Sequence, residues 1–135
     1  MILCDTGPLV ALLIAEDPAH KSCTVTSKRE RSRLLTTDAC LTESLHLLYR
    51  AGGYWAQSQL WAMVRADELG VIVLSDTGRL SAAVYMDRYA DQPCDYADAT
   101  LLVAAEDTGI RRIFTIDGHF YAYRLADGSA LEVIP

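Results

Sequence analysis

Short apolar runs alternate along this chain with longer stretches in which apolar side chains recur every three or four positions. The runs at 1–4, 34–37, 71–74, 112–116 and 131–134 are the expected strands. They are brief and partly β-branched, as suits parallel strands buried on both faces. Gly7-Pro8 followed by Leu9, Leu12 and Leu13 predicts a helix with proline in its first turn, and Pro18 ends it. A second helix is expected from about His20 to Arg31. The segment from Asp38 to Arg50 has a capping residue in Thr37 or Asp38, an apolar face of Leu41, Leu45 and Leu48, and a stop at Gly52-Gly53. Further helices are expected over 54–68, with Leu60, Val64 and Trp61 inward, over 79–89, and over 95–107, the last closing at Gly109. Strands alternating with helices, with no repeat, low-complexity stretch or linker, predict one α/β domain over residues 1–135 with a mostly parallel sheet.

Composition narrows the class. A chain of 135 residues, 51% hydrophobic and 22% charged, has enough apolar surface for a core and is not disordered. No apolar run reaches membrane-spanning length, because Asp5, Glu16 and Asp17 interrupt the first one. The start lacks the basic segment of a secretion signal, so a cytoplasmic protein is expected. Cys4, Cys23, Cys40 and Cys94 form no C-x-x-C pair and have no histidine at metal-finger spacing, which favours free thiols, buried in the apolar settings of Cys4 and Cys40. The net charge of −6 argues against a generic nucleic-acid coat but not against a nuclease, whose metal-binding acids add negative charge. Basic residues gather locally at Lys28, Arg29, Arg31 and Arg33 and at Arg111-Arg112; taken alone, each run is better explained by a solvated loop or a strand entry.

Four acids stand where a carboxylate is costly or conspicuous. Asp5 ends the first strand, although Asp-Thr-Gly-Pro also reads as a helix cap. Asp117 ends the fourth strand before Gly118, where a turn aspartate is common. Asp98 falls three positions after Asp95, which suits a capping pair, yet it leads into the apolar Leu101-Leu102-Val103-Ala104-Ala105. Glu43 lies early in the third helix with no lysine or arginine three or four residues on. In an open parallel sheet, ligands bind at the carboxyl ends of strands where the strand order reverses. If the first strand is central, all four acids can face one cleft. Unit charges about 4 Å apart repel by about 4 kcal/mol per pair at an effective dielectric near 20, so such a cluster calls for a cation. An all-oxygen ligand set favours magnesium or manganese over zinc.

Taken together, Ile2-Leu3-Cys4-Asp5-Thr6-Gly7-Pro8-Leu9, Thr36-Thr37 with Glu43 downstream, Asp95-Tyr96-Ala97-Asp98-Ala99 and Phe114-Thr115-Ile116-Asp117-Gly118-His119-Phe120 resemble PIN-domain ribonucleases, specifically the toxins of VapBC-type toxin–antitoxin pairs. The likeness covers essentially the whole chain, and its specificity lies in the ordered set of motifs. It implies a three-layer α/β/α fold with a five-stranded parallel sheet of order 3-2-1-4-5. It implies that Asp5, Glu43, Asp98 and Asp117 bind magnesium or manganese and carry catalysis, with Thr6 and Thr115 supporting and Asp95 as a cap or outer acid. It further implies metal-dependent hydrolysis of RNA phosphodiester bonds, a homodimer and a cognate antitoxin. Arg50, Arg29 and Arg31 are the candidates for holding RNA at the cleft rim. His119 matches no required family residue and reads as a turn-surface side chain.

Other classes fit less well. A receiver-type signalling module needs an acidic pair after the first strand and a late lysine, whereas Cys4-Asp5 gives one acid and no lysine follows Lys28. A D-x-D phosphatase is disfavoured because Asp5-Thr6-Gly7 lacks the second aspartate. The alternatives that stay open are a non-catalytic PIN-like scaffold binding RNA or protein, and a housekeeping PIN nuclease without an antitoxin.

Overall fold

Five strands, β1 (Ile2–Cys4), β2 (Leu34–Thr37), β3 (Leu69–Ile72), β4 (Arg112–Phe114) and β5 (Glu132–Ile134), form one parallel sheet in the order β3-β2-β1-β4-β5. They belong to a computed structural model describing residues 1–135. β1 is central: Leu3 pairs with Leu35 of β2 on one side and with Ile113 of β4 on the other. The chain moves outward to β3 and then crosses back to β4, so the strand order reverses between β1 and β4. That reversal opens a crevice at the carboxyl ends of those two strands.

The period-two alternation of the strands divides the core between the two faces. Leu3 joins Leu101, Leu102, Ile113, Phe120 and Tyr123 in one apolar cluster. Its neighbours Ile2 and Cys4 point the other way, into a cluster with Leu9, Leu41, Leu48, Leu60 and Phe114. Helices α1 (Thr6–Leu13), α2 (His20–Glu30) and α3 (Asp38–Arg65) supply the second cluster, while α4 (Asp76–Arg88) and α5 (Tyr96–Thr108) cover the first. α5 is buried from Ala99 through Ala105, which explains its nearly uniform apolar sequence. It ends at Gly109, whose φ of 77° is the left-handed conformation glycine adopts without penalty.

α3 is two helical arms joined at a kink, where Gly52 has φ −151° and Gly53 has φ 64°. The glycine pair therefore breaks the helix as expected. Several boundaries differ from the sequence reading: β4 ends at Phe114 and not at Ile116, which leaves Asp117 three residues past the strand, and the helical arm after the kink ends at Arg65. β3 begins two residues earlier than the β-branched run Val71-Ile72-Val73 indicates, and it includes Gly70. A β-carbon at Gly70 would sit 2.5 Å from Leu35 Cδ2 and 2.8 Å from an Arg33 guanidinium nitrogen, so a larger residue there has to displace both side-chain ends. α4 starts three residues earlier than expected, because the Ser75 hydroxyl caps it by accepting the Gly78 N–H at 3.0 Å. Short helical turns also follow β4, over Gly118–Tyr121.

Candidate metal centre

Asp5 leaves β1 at the reversal point and is 7% exposed. Its backbone N–H still donates to Phe114 of β4 at 3.0 Å, so the sheet itself fixes the residue. One carboxylate oxygen accepts the Thr6 N–H at 2.7 Å and the other accepts the Thr115 hydroxyl at 2.8 Å. The same hydroxyl oxygen accepts the Asp117 N–H at 3.0 Å. Thr115 thus ties the carboxylate at the end of β1 to the backbone that presents the acid after β4. Thr6 lines the cleft, and its hydroxyl donates to the Cys40 carbonyl at 3.5 Å.

Asp98 arrives from another direction, in the first turn of α5. Asp95 Oδ1 accepts the Asp98 N–H at 2.8 Å and Asp98 Oδ2 accepts the Asp95 N–H at 3.3 Å, a reciprocal capping box. The cap engages Asp98 Oδ2 and leaves Oδ1 without a protein hydrogen bond. Asp117 sits at the head of the short turn that follows β4, where its Oδ1 accepts the His119 N–H at 2.9 Å.

These elements bring one carboxylate oxygen each from Asp5, Asp98 and Asp117 within 4.8 Å of one another. Glu43, half-buried in the second turn of α3, lies outside that triad but lines the same open cleft of about 310 Å³. Gly7 and Ile116 are also in its wall. The electrostatics record the crowding. Burial pushes Asp5 up to about 6, against the pull of its Thr115 and Thr6 hydrogen bonds, and the charges of Asp117 and Glu43 raise it further. Burial pushes Asp98 up to about 7, with Asp95, Asp5 and Asp117 adding repulsion. No lysine or arginine lines the cleft to offset this charge. An all-carboxylate, half-buried donor set with unrelieved repulsion suits a hard divalent cation and does not suit zinc, which prefers nitrogen and sulfur.

The remaining predicted residues scatter. Asp95 is exposed at the junction of this cleft with a second groove. Arg50 is exposed on α3, seven residues beyond Glu43 on the same helical face, which places it about 10 Å further along the helix. Arg29 and Arg31 lie elsewhere. α2 delivers its last turn to the start of β2, and Glu30 beside them pairs at 2.8 Å with Arg112, the first residue of β4. Both arginines therefore sit at the amino edge of the sheet, across the strands from the carboxylates, and not at the cleft rim where the sequence reading put them.

Two neighbours of the triad have little or no signal in the sequence pattern. The buried Tyr123 lies in the loop after the short turn, packed against Tyr89 and Phe120. Its hydroxyl hydrogen-bonds to the Pro93 carbonyl and lies 3.5 Å from Asp98 Oδ2. His119, expected to be an idle surface residue, places Nδ1 2.6 Å from Asp117 Oδ1. Only the spacing Asp117-Gly118-His119 hinted at that contact.

Comparison with known proteins agrees with this fold. A family model described as PIN domain matches residues 2–125. Among solved structures, the VapC20 toxin of Mycobacterium tuberculosis, described as cleaving the sarcin–ricin loop, superposes with a TM-score of 0.85 over the whole of both chains at 23% identity. A toxin–antitoxin complex from Klebsiella pneumoniae superposes with a TM-score of 0.68 at 15% identity, covering 100% of this chain and 97% of that one. A search of curated proteins gave no match.

Proposed function

The chain belongs to the PIN-domain family, and from that premise we propose that it is a divalent-metal-dependent endoribonuclease acting as the toxin of a toxin–antitoxin pair. The observation that carries the reading is the convergence of Asp5, Asp98 and Asp117 within 4.8 Å at the reversal point of the sheet. A neutral core would not gather three carboxylates there, since their ionisation works against folding. In this reading Asp5, Asp98 and Asp117 hold magnesium or manganese and Glu43 completes the acidic wall. When bound, such an ion supplies neutralisation of the phosphate and acidification of a water molecule.

The protein's own groups divide the remaining work. Thr115 holds the Asp5 carboxylate in a fixed orientation and opposes the rise that burial imposes on it, because its hydroxyl donates to the charged form. The capping box fixes Asp98. Glu43 stands to one side of the triad and is free to orient a water or accept its proton. In this reading Arg50, exposed on α3, meets a phosphate beyond the cleft. The toxin assignment draws on the likeness to the two toxin structures. A homodimer and an antitoxin laid across the cleft belong to the same proposal, as do the roles of the named residues. No helix of the chain is long and apolar enough to cross a membrane.

The test is incubation of the purified protein with a mixed RNA panel and magnesium or manganese, beside Asp5→Asn and Asp98→Asn. Cleavage that needs the metal, stops with chelator and is lost in both variants is the expected result. Absence of cleavage by folded, metal-loaded protein across the panel would replace this reading with a binding scaffold.

A further inference from the structure

A second groove, of about 640 Å³, opens off the acidic cleft and shares Glu43 and Asp95 with it. Its size is that of a small-molecule site. The floor is apolar and comes from the segment where the chain leaves β3: Ile72, Val73 and Leu74. Val73, the residue just past the end of β3, is 73% exposed. The side walls carry two flat polar rings, His46 of α3 and Tyr96 of α5, the latter 40% exposed. Carboxylates stand at the mouth: Asp38 on the first turn of α3, and Asp95, whose Oδ1 is taken by the α5 cap while its second oxygen accepts no protein hydrogen bond. The one cation in the lining is Arg79, which also pairs with Asp76 at 3.1 Å.

We infer that this groove holds an unstacked nucleobase of the RNA strand whose phosphate occupies the acidic cleft. The inference rests on the nuclease reading above and extends it to the substrate. A base has two apolar faces and a polar edge, which is the chemistry of an apolar floor flanked by flat rings with hydrogen-bonding groups at the mouth. Carboxylates accept from the N–H and amino groups that base edges present, guanine offering two side by side. The shared wall supplies the geometric link, since Glu43 and Asp95 border both spaces and a nucleotide with its phosphate at the triad has its base beside the groove. Apolar contact and stacking tolerate any base, whereas the carboxylates favour one whose edge is rich in donors. Target choice would then begin at this groove rather than at the metal centre, which touches only phosphate.

The groove is tested with Val73→Trp, which fills it from an already exposed position, and Tyr96→Ala, which removes a wall. Melting temperature and circular dichroism establish that each variant is folded. Cleavage is measured with magnesium on a single-stranded oligoribonucleotide, and on the same oligonucleotide made abasic in turn at each nucleotide flanking the cut. Wild type is expected to lose about tenfold in kcat/KM when one flanking base is removed, the scale of one base–aromatic stack. The variants are expected to bring the intact-to-abasic ratio close to one. In parallel, the oligonucleotide carrying 2-aminopurine at that position is bound in calcium, where stacking quenches its fluorescence in wild type and less so in either variant. A wild-type ratio retained by both variants, with unchanged quenching, overturns the groove assignment while leaving the nuclease intact. Quenching lost in the variants without cleavage of any RNA by wild type upholds the groove and overturns the nuclease. If the variants instead keep the ratio and lose a bound protein partner, the groove belongs to that partner and the inference fails.

Discussion

Converting Asp98 to Asn should stabilise the metal-free protein while removing its response to magnesium. Asparagine is nearly isosteric, and its carbonyl oxygen can still accept the Asp95 N–H that Asp98 accepts at 3.3 Å, so the α5 cap survives. The carboxylate itself is raised from 3.8 to about 7, first by burial and then by Asp95, Asp5 and Asp117. A folded-state value above the unfolded one means that the folded protein holds the proton more tightly. The associated stability is complete below pH 3.8 and is lost as pH rises through about 7. At about 1.36 kcal/mol per tenfold change in ionisation, the full loss is about 4 kcal/mol. Asp98 is half-buried and keeps part of its surface in water, so about 2 kcal/mol is the more realistic figure. For a chain of this size that corresponds to a rise of roughly 5 °C in melting temperature. The assay is thermal or denaturant unfolding in chelator across pH 4.5 to 8, repeated with magnesium. The variant should exceed wild type at pH 8, and the gap should close toward pH 4.5. Magnesium at a hundredfold excess over its Kd should add about 2.7 kcal/mol to wild type and far less to the variant. An Asp98→Asn protein no more stable than wild type at pH 8 in chelator, or equally stabilised by magnesium, would refute the claim that the triad is an unrelieved cluster built for a cation.

Thr115→Val removes the donor to Asp5 and the acceptor for the Asp117 N–H; it should cost about 1–3 kcal/mol. It should also push Asp5 above its value of about 6, read by carboxyl NMR titration, with a weaker magnesium half-saturation alongside. Gly70→Ala drives a β-carbon toward Leu35 and Arg33 and should destabilise by about 1–3 kcal/mol in urea unfolding without altering metal affinity. The double variant Arg29→Ala/Arg31→Ala should leave RNA cleavage within about twofold of wild type, because both side chains lie across the sheet from the triad; a large drop would place RNA on the amino edge. With Arg79 the one lysine or arginine lining either groove, RNA binding should weaken only shallowly with salt, at roughly 0.7 in log affinity per log salt for each phosphate contacted.

Much of this fold is legible because local chemistry and global topology agree. β2 falls on residues 34–37 as read, between the basic run that ends α2 and the Thr37 cap that starts α3. Gly109 closes α5 and the Gly52-Gly53 pair breaks α3, since Gly109 and Gly53 take positive-φ conformations that other residues resist. β3 resisted the same treatment. Its placement depends on how closely Gly70 approaches Leu35 across the sheet, a tertiary fact that β-propensity cannot carry. The short turn at Gly118–Tyr121 is missed for a related reason: three or four residues are too few to show a period.

The candidate site divides along the same line. Asp5 and Asp117 could be found because an acid at the end of a buried strand is physically conspicuous, and the α/β topology says where strand ends meet. The same rule, followed one step further, places the arginines. In a parallel α/β unit each helix carries the chain back from the carboxyl edge of the sheet to the amino edge, so residues closing a helix belong to the edge opposite the one that binds ligand. Arg29 and Arg31 close α2 and precede β2, which fixes their distance from Asp5 as surely as the motif fixes Asp5. Reading the run by its charge alone discards that direction. Tyr123 and His119 differ in kind: neither carries any periodicity, Tyr123 meets Asp98 only through tertiary packing, and His119 meets Asp117 within the short turn that follows β4. The carboxyl edge is thus left rich in carboxylates and poor in cations. That polarity is why a bound metal, more than surface arginine, is expected to draw the phosphate into this cleft.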